Sequence, residues 1–195
     1  MQGIPLNERK RLGALLDDRP QTEVMAMIPQ FSQAETDNFV APPAQIPEAL
    51  GVLMFNMERG VNLPEIQEFL RDCPDIQPFD VILANELDDG CARSGNKNTA
   101  RELAQAFGLN YAWGLEFIEL VNDENAKGFH GNAVFSRWPI RRAGVIRLPE
   151  QYNWYFDRQK RIGGRLAVFA ELDVGGQPVG AVSIHLENRT HGEGR

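Results

Sequence analysis

Two nearly continuous apolar runs of strand length lie between residues 50 and 87. Residues 50–57 read LGVLMFNM and residues 80–87 read DVILANEL. Such runs are typical of strands that are buried on both faces of a parallel sheet. A helix is predicted after each run, the first starting at Pro64 and the second covering residues 99–107. The order strand, helix, strand, helix predicts parallel strands joined by helical crossovers.

From residue 111 onwards the apolar period changes to two, which indicates strands separated by short turns. Five more strands are predicted, at residues 111–120, 131–138, 143–148, 165–174 and 178–186. Gly175 and Gly176 separate the last two and are typical of a hairpin turn. Together the two patterns predict an α/β fold, a mixed β-sheet with flanking helices.

The first 48 residues follow neither pattern. Three prolines between residues 42 and 47 indicate a stiff, extended connector. We therefore interpret residues 1–48 as an N-terminal extension and Pro-rich linker, and residues 49–195 as one domain.

Composition excludes several classes of protein. The chain has 195 residues, of which 43% are hydrophobic, so it has enough apolar side chains for a core and is not a disordered chain. No apolar run reaches the roughly 18 residues of a transmembrane segment. The two cysteines, Cys73 and Cys91, are far apart and indicate neither a disulfide framework nor a zinc site. We expect a soluble, cytoplasmic protein.

The charge is acidic overall but uneven. Twenty Lys and Arg against 27 Asp and Glu give a net charge of −7, which does not favour nucleic acid as a partner, although it leaves it possible. Residues 137–165 hold eight cations and two anions, a local excess of +6. Such a patch is compatible with a phosphorylated substrate, and equally with a solvated surface.

Polar residues end three of the apolar runs. Asn56 ends the first, Glu86 the second, and His185 follows VGAVSI in the last. Ligands bind at the carboxyl ends of parallel strands, and amide and carboxylate oxygens are ligands that Mg²⁺ prefers. The alternative is structural: an internal hydrogen bond between the amide and the carboxylate, and a histidine that only completes its strand.

Four motifs occur in order: FNMERG around Asn56, ANELDDG around Glu86, HGNAVFSRWPI from His130, and SIHLEN around His185. In their order and spacing they resemble the endonuclease/exonuclease/phosphatase superfamily, the deoxyribonuclease I-like phosphoesterases, over about residues 50–190. The resemblance implies two packed mixed sheets flanked by helices, a four-layer α/β/β/α sandwich. It also implies cleavage of a phosphoester that depends on Mg²⁺ or Mn²⁺.

The resemblance also implies roles for single residues. Asn56 and Glu86 match the family's metal-binding positions. Asn132 matches the asparagine of its GNAxxSR strand and His185 the histidine that contacts the scissile phosphate, so these two are the expected catalytic residues. Arg93 lies in a loop that often contacts substrate. His130 and His191 match no catalytic position, and we expect both to lie in surface loops.

Two later motifs of the superfamily, GDxN and SDH, do not occur in this sequence. We therefore expect the chain to be the N-terminal part of such an enzyme, roughly without the second sheet. One sheet face is then expected to be uncovered and to allow self-association.

Two functions follow. The first is a metal-dependent phosphoesterase acting on a phosphorylated substrate of unknown class, with its activity in doubt. The alternative is a non-catalytic fragment or interaction module that retains half of the fold. The aromatic and basic residues 152–161 are interpreted as a loop whose rings pack on the core, with substrate clamping as the alternative.

Overall fold

A computed structural model describes residues 1–189. In this part of the chain the helices are α1 (Leu6–Ala14), α2 (Gln21–Ala26), α3 (Leu63–Asp72) and α4 (Thr99–Phe107). The strands are β1 (Ala34–Asp37), β2 (Val52–Arg59), β3 (Val81–Asp89), β4 (Asn110–Glu119), β5 (Phe129–Ser136), β6 (Ile140–Arg147), β7 (Arg161–Gly163), β8 (Leu166–Val174) and β9 (Gln177–Ile184). The predicted strands are all present, and β1 and β7 are additional.

The main sheet has six strands and is mixed, as predicted. Its order is β1-β4-β5-β3-β2, and β7 pairs with the far end of β4. β2 and β3 are parallel and joined through α3, whereas the other pairs are antiparallel. Because β2 and β3 are parallel, their carboxyl ends lie at the same end of the sheet. Asn56 lies opposite Asn85, the last pair before the register shifts.

A second sheet is present, so the prediction that it would be missing is wrong. It consists of β6, β8 and β9 in the order β6-β8-β9, and Gly175 and Gly176, both at positive φ, form the predicted turn between β8 and β9. Its inner face packs on the main sheet through a shared core that includes Ala112, Val134 and Val168. The alternation of apolar and polar residues gives β6, β8 and β9 one apolar face, and this face covers the main sheet.

The N-terminal segment packs on the sheet rather than apart from it, in contrast to the predicted extension. Leu12, Leu16, Val24 and Phe31 are buried in the core on the helical face of the main sheet, beside residues of α3 and α4. β1 extends that sheet by pairing with β4. The periodicity of this segment is weak because its elements are short, and each buries only one or two side chains.

β2 is an edge strand, and one of its faces is open. Val52 is 57% exposed and Met54 is 74% exposed, so the prediction that this strand is buried on both faces is wrong. The second sheet lies over β3, β4 and β5, and it ends with β9 before it reaches β2. Leu53 and Phe55, on the opposite face, pack against the helical core.

None of the helices formed by residues 1–189 combines the length and the apolar character that crossing a bilayer requires.

Candidate functional site

Glu86 lies at an irregularity in the main sheet. The pairing of β3 with β5 shifts between Ala84 and Leu87, and the pairing of β2 with β3 shifts beyond Asn56. Glu86 has a φ of 58°, in the left-handed region that a non-glycine residue rarely adopts. Bulges and such strained residues are concentrated next to functional sites, where they redirect a side chain. Here the bulge places a partly exposed carboxylate within a strand that is otherwise largely buried.

Asn132 supports Glu86 from β5. Its Oδ1 accepts a hydrogen bond from the backbone N–H of Glu86 over 3.3 Å. Its Nδ2 is buried and has no hydrogen-bond partner within residues 1–189. An unpaired buried donor costs about 1–3 kcal/mol, so this amide nitrogen is one that an added acceptor would stabilise.

His185 follows β9 directly and reaches the same place from the second sheet. Its Nε2 lies 3.9 Å from Oε1 of Glu86, and its Nδ1 lies 2.9 Å from Nη1 of Arg165. Ser183, two residues earlier, donates a hydrogen bond from Oγ to the carbonyl oxygen of Ala84 over 2.9 Å. This bond between the sheets holds the end of β9 against β3, which is why His185 and Glu86 lie together.

Asn56 lies on the exposed face of β2, the strand next to β3. Its Oδ1 accepts a hydrogen bond from the backbone N–H of Glu58 over 2.9 Å, and Glu58 and Arg59 both have positive φ. The amide therefore shapes the bend that ends β2. No hydrogen bond joins Asn56 to Glu86 within the described residues, so the alternative of an internal amide–carboxylate bond is wrong.

A buried carboxylate, Glu116, lies beneath His185. Its Oε1 is 3.2 Å from Nη1 of Arg165, and its Oε2 is 3.7 Å from both Nδ1 of His185 and Nε2 of His130. Burial raises the pKa of this carboxyl, but the interactions with His185, Arg165 and His130 outweigh burial and hold the pKa below its ordinary value. Glu116 is thus an anion in the core, surrounded by groups that can carry positive charge.

His130 is buried next to Glu116 and is part of the same group of charged side chains. The expectation that it lies in a surface loop is wrong. It is 2% exposed, and its Nδ1 is 2.9 Å from Oδ1 of Asp88.

Arg93 donates to both oxygens of Asp88, over 2.7 and 2.8 Å, and also pairs with Glu119. Burial opposes ionisation of Asp88, but Arg93 and His130 lower its pKa to about 2. Arg93, expected in a substrate-contacting loop, therefore has its charge neutralised internally. His191 lies outside the described residues.

The aromatic segment 152–161 packs on the core, as its favoured interpretation predicts. Trp154 and Tyr155 are buried, and Nε1 of Trp154 donates to Oε2 of Glu187 over 2.7 Å. Arg161 and Arg165 stack on the Trp154 ring. Much of the local basic excess thus interacts within the protein and does not form an open patch.

The donors at the site fit a hard divalent cation. The carboxylate of Glu86 accepts no hydrogen bond within residues 1–189, which leaves its oxygens available, and the amide of Asn56 is exposed on the adjacent strand. The same residues contain no cluster of three or more His, Cys, Asp or Glu side chains arranged to hold a metal. One carboxylate with one amide suits Mg²⁺, which keeps several waters and is completed by substrate phosphate, better than it suits zinc.

Sequence reasoning did not identify Glu116, Asp88, Ser183 or Arg165. Glu116 and Asp88 interrupt apolar strands just as Glu86 does, and this signal was present in the sequence. In the sequence Arg165 is visible only as part of a basic stretch, because its contacts with Glu116 and His185 join residues 49 and 20 positions away.

Comparison with solved structures gives likenesses that each cover about 70% of this chain. One is an endonuclease/exonuclease/phosphatase family protein from Leptotrichia buccalis, with 18% identity, a TM-score of 0.48, and coverage of 71% of this chain and 55% of that one. Another is the 3′ phosphatase NExo from Neisseria bound to a product DNA hairpin, with 20% identity, a TM-score of 0.37, and coverage of 69% and 40%. A third is SmcL, with 13% identity, a TM-score of 0.43, and coverage of 71% and 48%.

The chain spans about half of the length of these structures. At this level of similarity no residue role or activity is taken from them. No family model matches the chain, and no curated protein matches it.

Proposed function

We propose that this chain carries the metal-binding and phosphate-binding part of a metal-dependent phosphoesterase. The observation that carries the proposal is the convergence of Glu86, Asn132 and His185 from three strands and two sheets. A partly exposed carboxylate, a buried amide with an unpaired N–H group and a histidine N–H suit a phosphate group with a bound cation. The four ordered sequence motifs support the same assignment.

Each side chain has a distinct role in this proposal. Glu86 and Asn56 would hold Mg²⁺ or Mn²⁺, which when bound neutralises phosphoryl charge. His185 presents an N–H group from Nε2, because Arg165 donates to its Nδ1. Asn132 offers Nδ2, so both side chains donate hydrogen bonds to phosphoryl oxygens as negative charge develops. We assign no general base within residues 1–189.

Metal binding tests the proposal without requiring activity. We expect weak binding of Mn²⁺, measured by calorimetry and by paramagnetic broadening of NMR signals. The broadening should be centred on Glu86 and Asn56 and should extend to Asn132 and His185. Glu86→Gln should remove most of this binding, since it replaces the only carboxylate in the donor set. Glu68→Gln, on the exposed side of α3, is the matched control and should bind as the wild type does. Equal affinity in wild type and Glu86→Gln contradicts the assignment.

A phosphoesterase assay then addresses the reaction itself. Hydrolysis of bis(p-nitrophenyl) phosphate and p-nitrophenyl phosphate, each with and without Mn²⁺, separates diesterase from monoesterase activity. A single-stranded oligonucleotide tests nucleic acid as the substrate. Metal-dependent turnover that is lost in both Glu86→Gln and His185→Ala supports the proposal.

A second candidate is an interaction module without catalysis, and one observation favours it. Four exposed apolar side chains lie on edge strands of the two sheets: Val52 and Met54 on β2, and Val182 and Ile184 on β9. Surfaces of this kind mark interaction sites, including self-association. If partner binding or self-association is unchanged by added metal and by Glu86→Gln, the interaction module is favoured over the phosphoesterase.

A further inference from the structure

A cavity of about 320 Å³ lies between α2, the turn that follows it, and the chain at the end of β6 and the start of β8. Its wall is largely apolar and includes Met25, Ile28, Phe31 and Leu148. This volume lies at the lower end of the range for small-molecule sites. At about 30 Å³ for each water-sized group, it accommodates about ten non-hydrogen atoms. The residues assigned to phosphate and metal are not part of this wall.

A cation without a carboxylate partner lines the cavity. Arg147 donates to the carbonyl oxygen of Phe31 from Nε over 2.9 Å and from Nη2 over 2.7 Å, to that of Gly164 from Nη1 over 3.1 Å, and also to that of Leu115. Within residues 1–189 it forms no ion pair. Burial lowers its pKa to about 10, and the charge of the more distant Glu116 offsets only part of this cost.

A second polar group lies beside Arg147. Gln21 is 2% exposed and borders the cavity, and its Oε1 accepts from the backbone N–H of Gly163 over 3.3 Å. Its Nε2 has no hydrogen-bond partner in the described chain. This nitrogen lies close to Gly164, a cavity residue whose carbonyl oxygen also accepts from Arg147. An unused amide donor and an unneutralised guanidinium therefore meet at one corner of an apolar cavity.

The other charges around the cavity do not neutralise this corner. Arg165 also borders it but is paired with Glu116 and Glu187. Glu150 is exposed at the rim and forms no ion pair within residues 1–189. The corner is thus electropositive, and the remaining wall favours an apolar group.

We propose that this cavity binds a small carboxylate with an apolar body of about eight carbons. The carboxylate pairs with Arg147 and accepts from Nε2 of Gln21, while the apolar body lies against Met25, Ile28 and Phe31. Backbone carbonyls accept from four of the five N–H groups of Arg147, which leaves one N–H on Nη1 for the carboxylate. A charge-assisted hydrogen bond from this group, together with neutralisation of the guanidinium, offsets the cost of its burial. This site is independent of the phosphoesterase proposal.

Titration with three matched probes, followed by ¹H–¹⁵N NMR spectra, tests the site. Octanoate has ten non-hydrogen atoms and should bind with a dissociation constant of about 1 mM or below. Its shift changes should be confined to α2, the turn after it, and residues 147–148 and 163–165. Both 1-octanol, which lacks the charge, and acetate, which lacks the apolar body, should bind at least about tenfold more weakly. Equal binding of 1-octanol overturns the role of Arg147, and absence of octanoate binding overturns the site.

Three substitutions in α2 and directly after it locate the ligand without removing Arg147. Met25→Trp places a larger side chain in the cavity and should abolish octanoate binding, whereas Met27→Trp, two residues later and outside the cavity wall, should not. Thr22→Glu adds a negative charge to the exposed wall and should weaken octanoate but not 1-octanol. Thermal melting confirms that each variant is folded. Octanoate binding that survives Met25→Trp in a folded protein contradicts the assignment.

Discussion

Nη1 of Arg165 lies 2.9 Å from Nδ1 of His185. A guanidinium has only donors, so Nδ1 of the histidine must be the acceptor, and the ring proton of neutral His185 is on Nε2. That nitrogen is the one that points towards Glu86. Arg165 is itself held by Glu116 and Glu187, so the orientation of the histidine depends on a buried set of charges behind it.

The first prediction concerns this tautomer. At neutral pH, ¹⁵N NMR of the wild-type protein should show His185 with its proton on Nε2. Arg165→Gln should give a mixture of the two tautomers, because the donor to Nδ1 is no longer a fixed cation. Arg161→Gln is the control, since Arg161 stacks on the same Trp154 ring but pairs with Glu119 and not with His185. A wild-type histidine with its proton on Nδ1 contradicts the interpretation.

The second prediction concerns stability and pH. The pKa of Asp88 is lowered to about 2 in the folded protein, compared with about 4 in the unfolded chain. The stabilisation by ionised Asp88 is therefore fully present above pH 4 and is lost as the pH falls towards 2. A pKa shift of this size corresponds to about 2 kcal/mol in the free energy of unfolding. Asp88→Asn should lower the free energy of unfolding by about 3 kcal/mol at pH 7, because Arg93 and His130 lose a buried partner.

Urea unfolding between pH 2 and pH 7 measures both effects. The difference between wild type and Asp88→Asn should narrow as the pH falls from about 4 to about 2. Asp123→Asn, which breaks only the exposed pair with Lys10, should change stability by about 0.5 kcal/mol or less. A difference between wild type and Asp88→Asn that stays constant with pH would show that Asp88 is not ionised through this network.

The third prediction concerns the contact between the two sheets. A Cβ on Gly114 of β4 would lie 2.9 Å from the Cγ2 atoms of both Val145 and Val168 in the second sheet. Gly114→Ala should therefore destabilise the protein by about 1–3 kcal/mol through overpacking. Gly144→Ala, at a strand position with no atom within 4 Å of the added Cβ, should be neutral or slightly stabilising. Thermal unfolding compares the two, and an equal effect of both substitutions rules out close packing at Gly114.

The fourth prediction concerns self-association. Met54 is the most exposed apolar side chain on the open face of β2, and β2 is also an edge strand with unpaired backbone groups. We expect the chain to associate at high concentration, and Met54→Lys to reduce this association and the binding of a hydrophobic dye. Val121→Lys removes a similarly exposed apolar side chain in a loop and should change neither. Light scattering after size-exclusion chromatography provides the measurement, and association unaffected by Met54→Lys contradicts this assignment of the surface.

The amino-acid sequence by itself determined the elements and much of their pairing. Apolar runs flanking a helix are enough to predict that β2 and β3 are parallel, because a crossover of that length returns the chain in the same direction. The Gly175–Gly176 turn is predictable because positive φ at two successive positions suits glycine. Glu86 and His185 are identifiable because burying a polar side chain at the end of an apolar run costs free energy unless it has a binding partner.

Tertiary structure alone decided which face of each strand is covered and which side chains meet. Alternation shows that β6, β8 and β9 have an apolar face, but it does not show that they form a separate sheet that ends before β2. Met54 is exposed and His130 is buried because the second sheet lies over β3, β4 and β5, a placement that depends on contacts between distant residues. The same placement brings Arg165 and Glu116 beneath His185, because interactions between side chains on different strands leave no periodic signal along the chain.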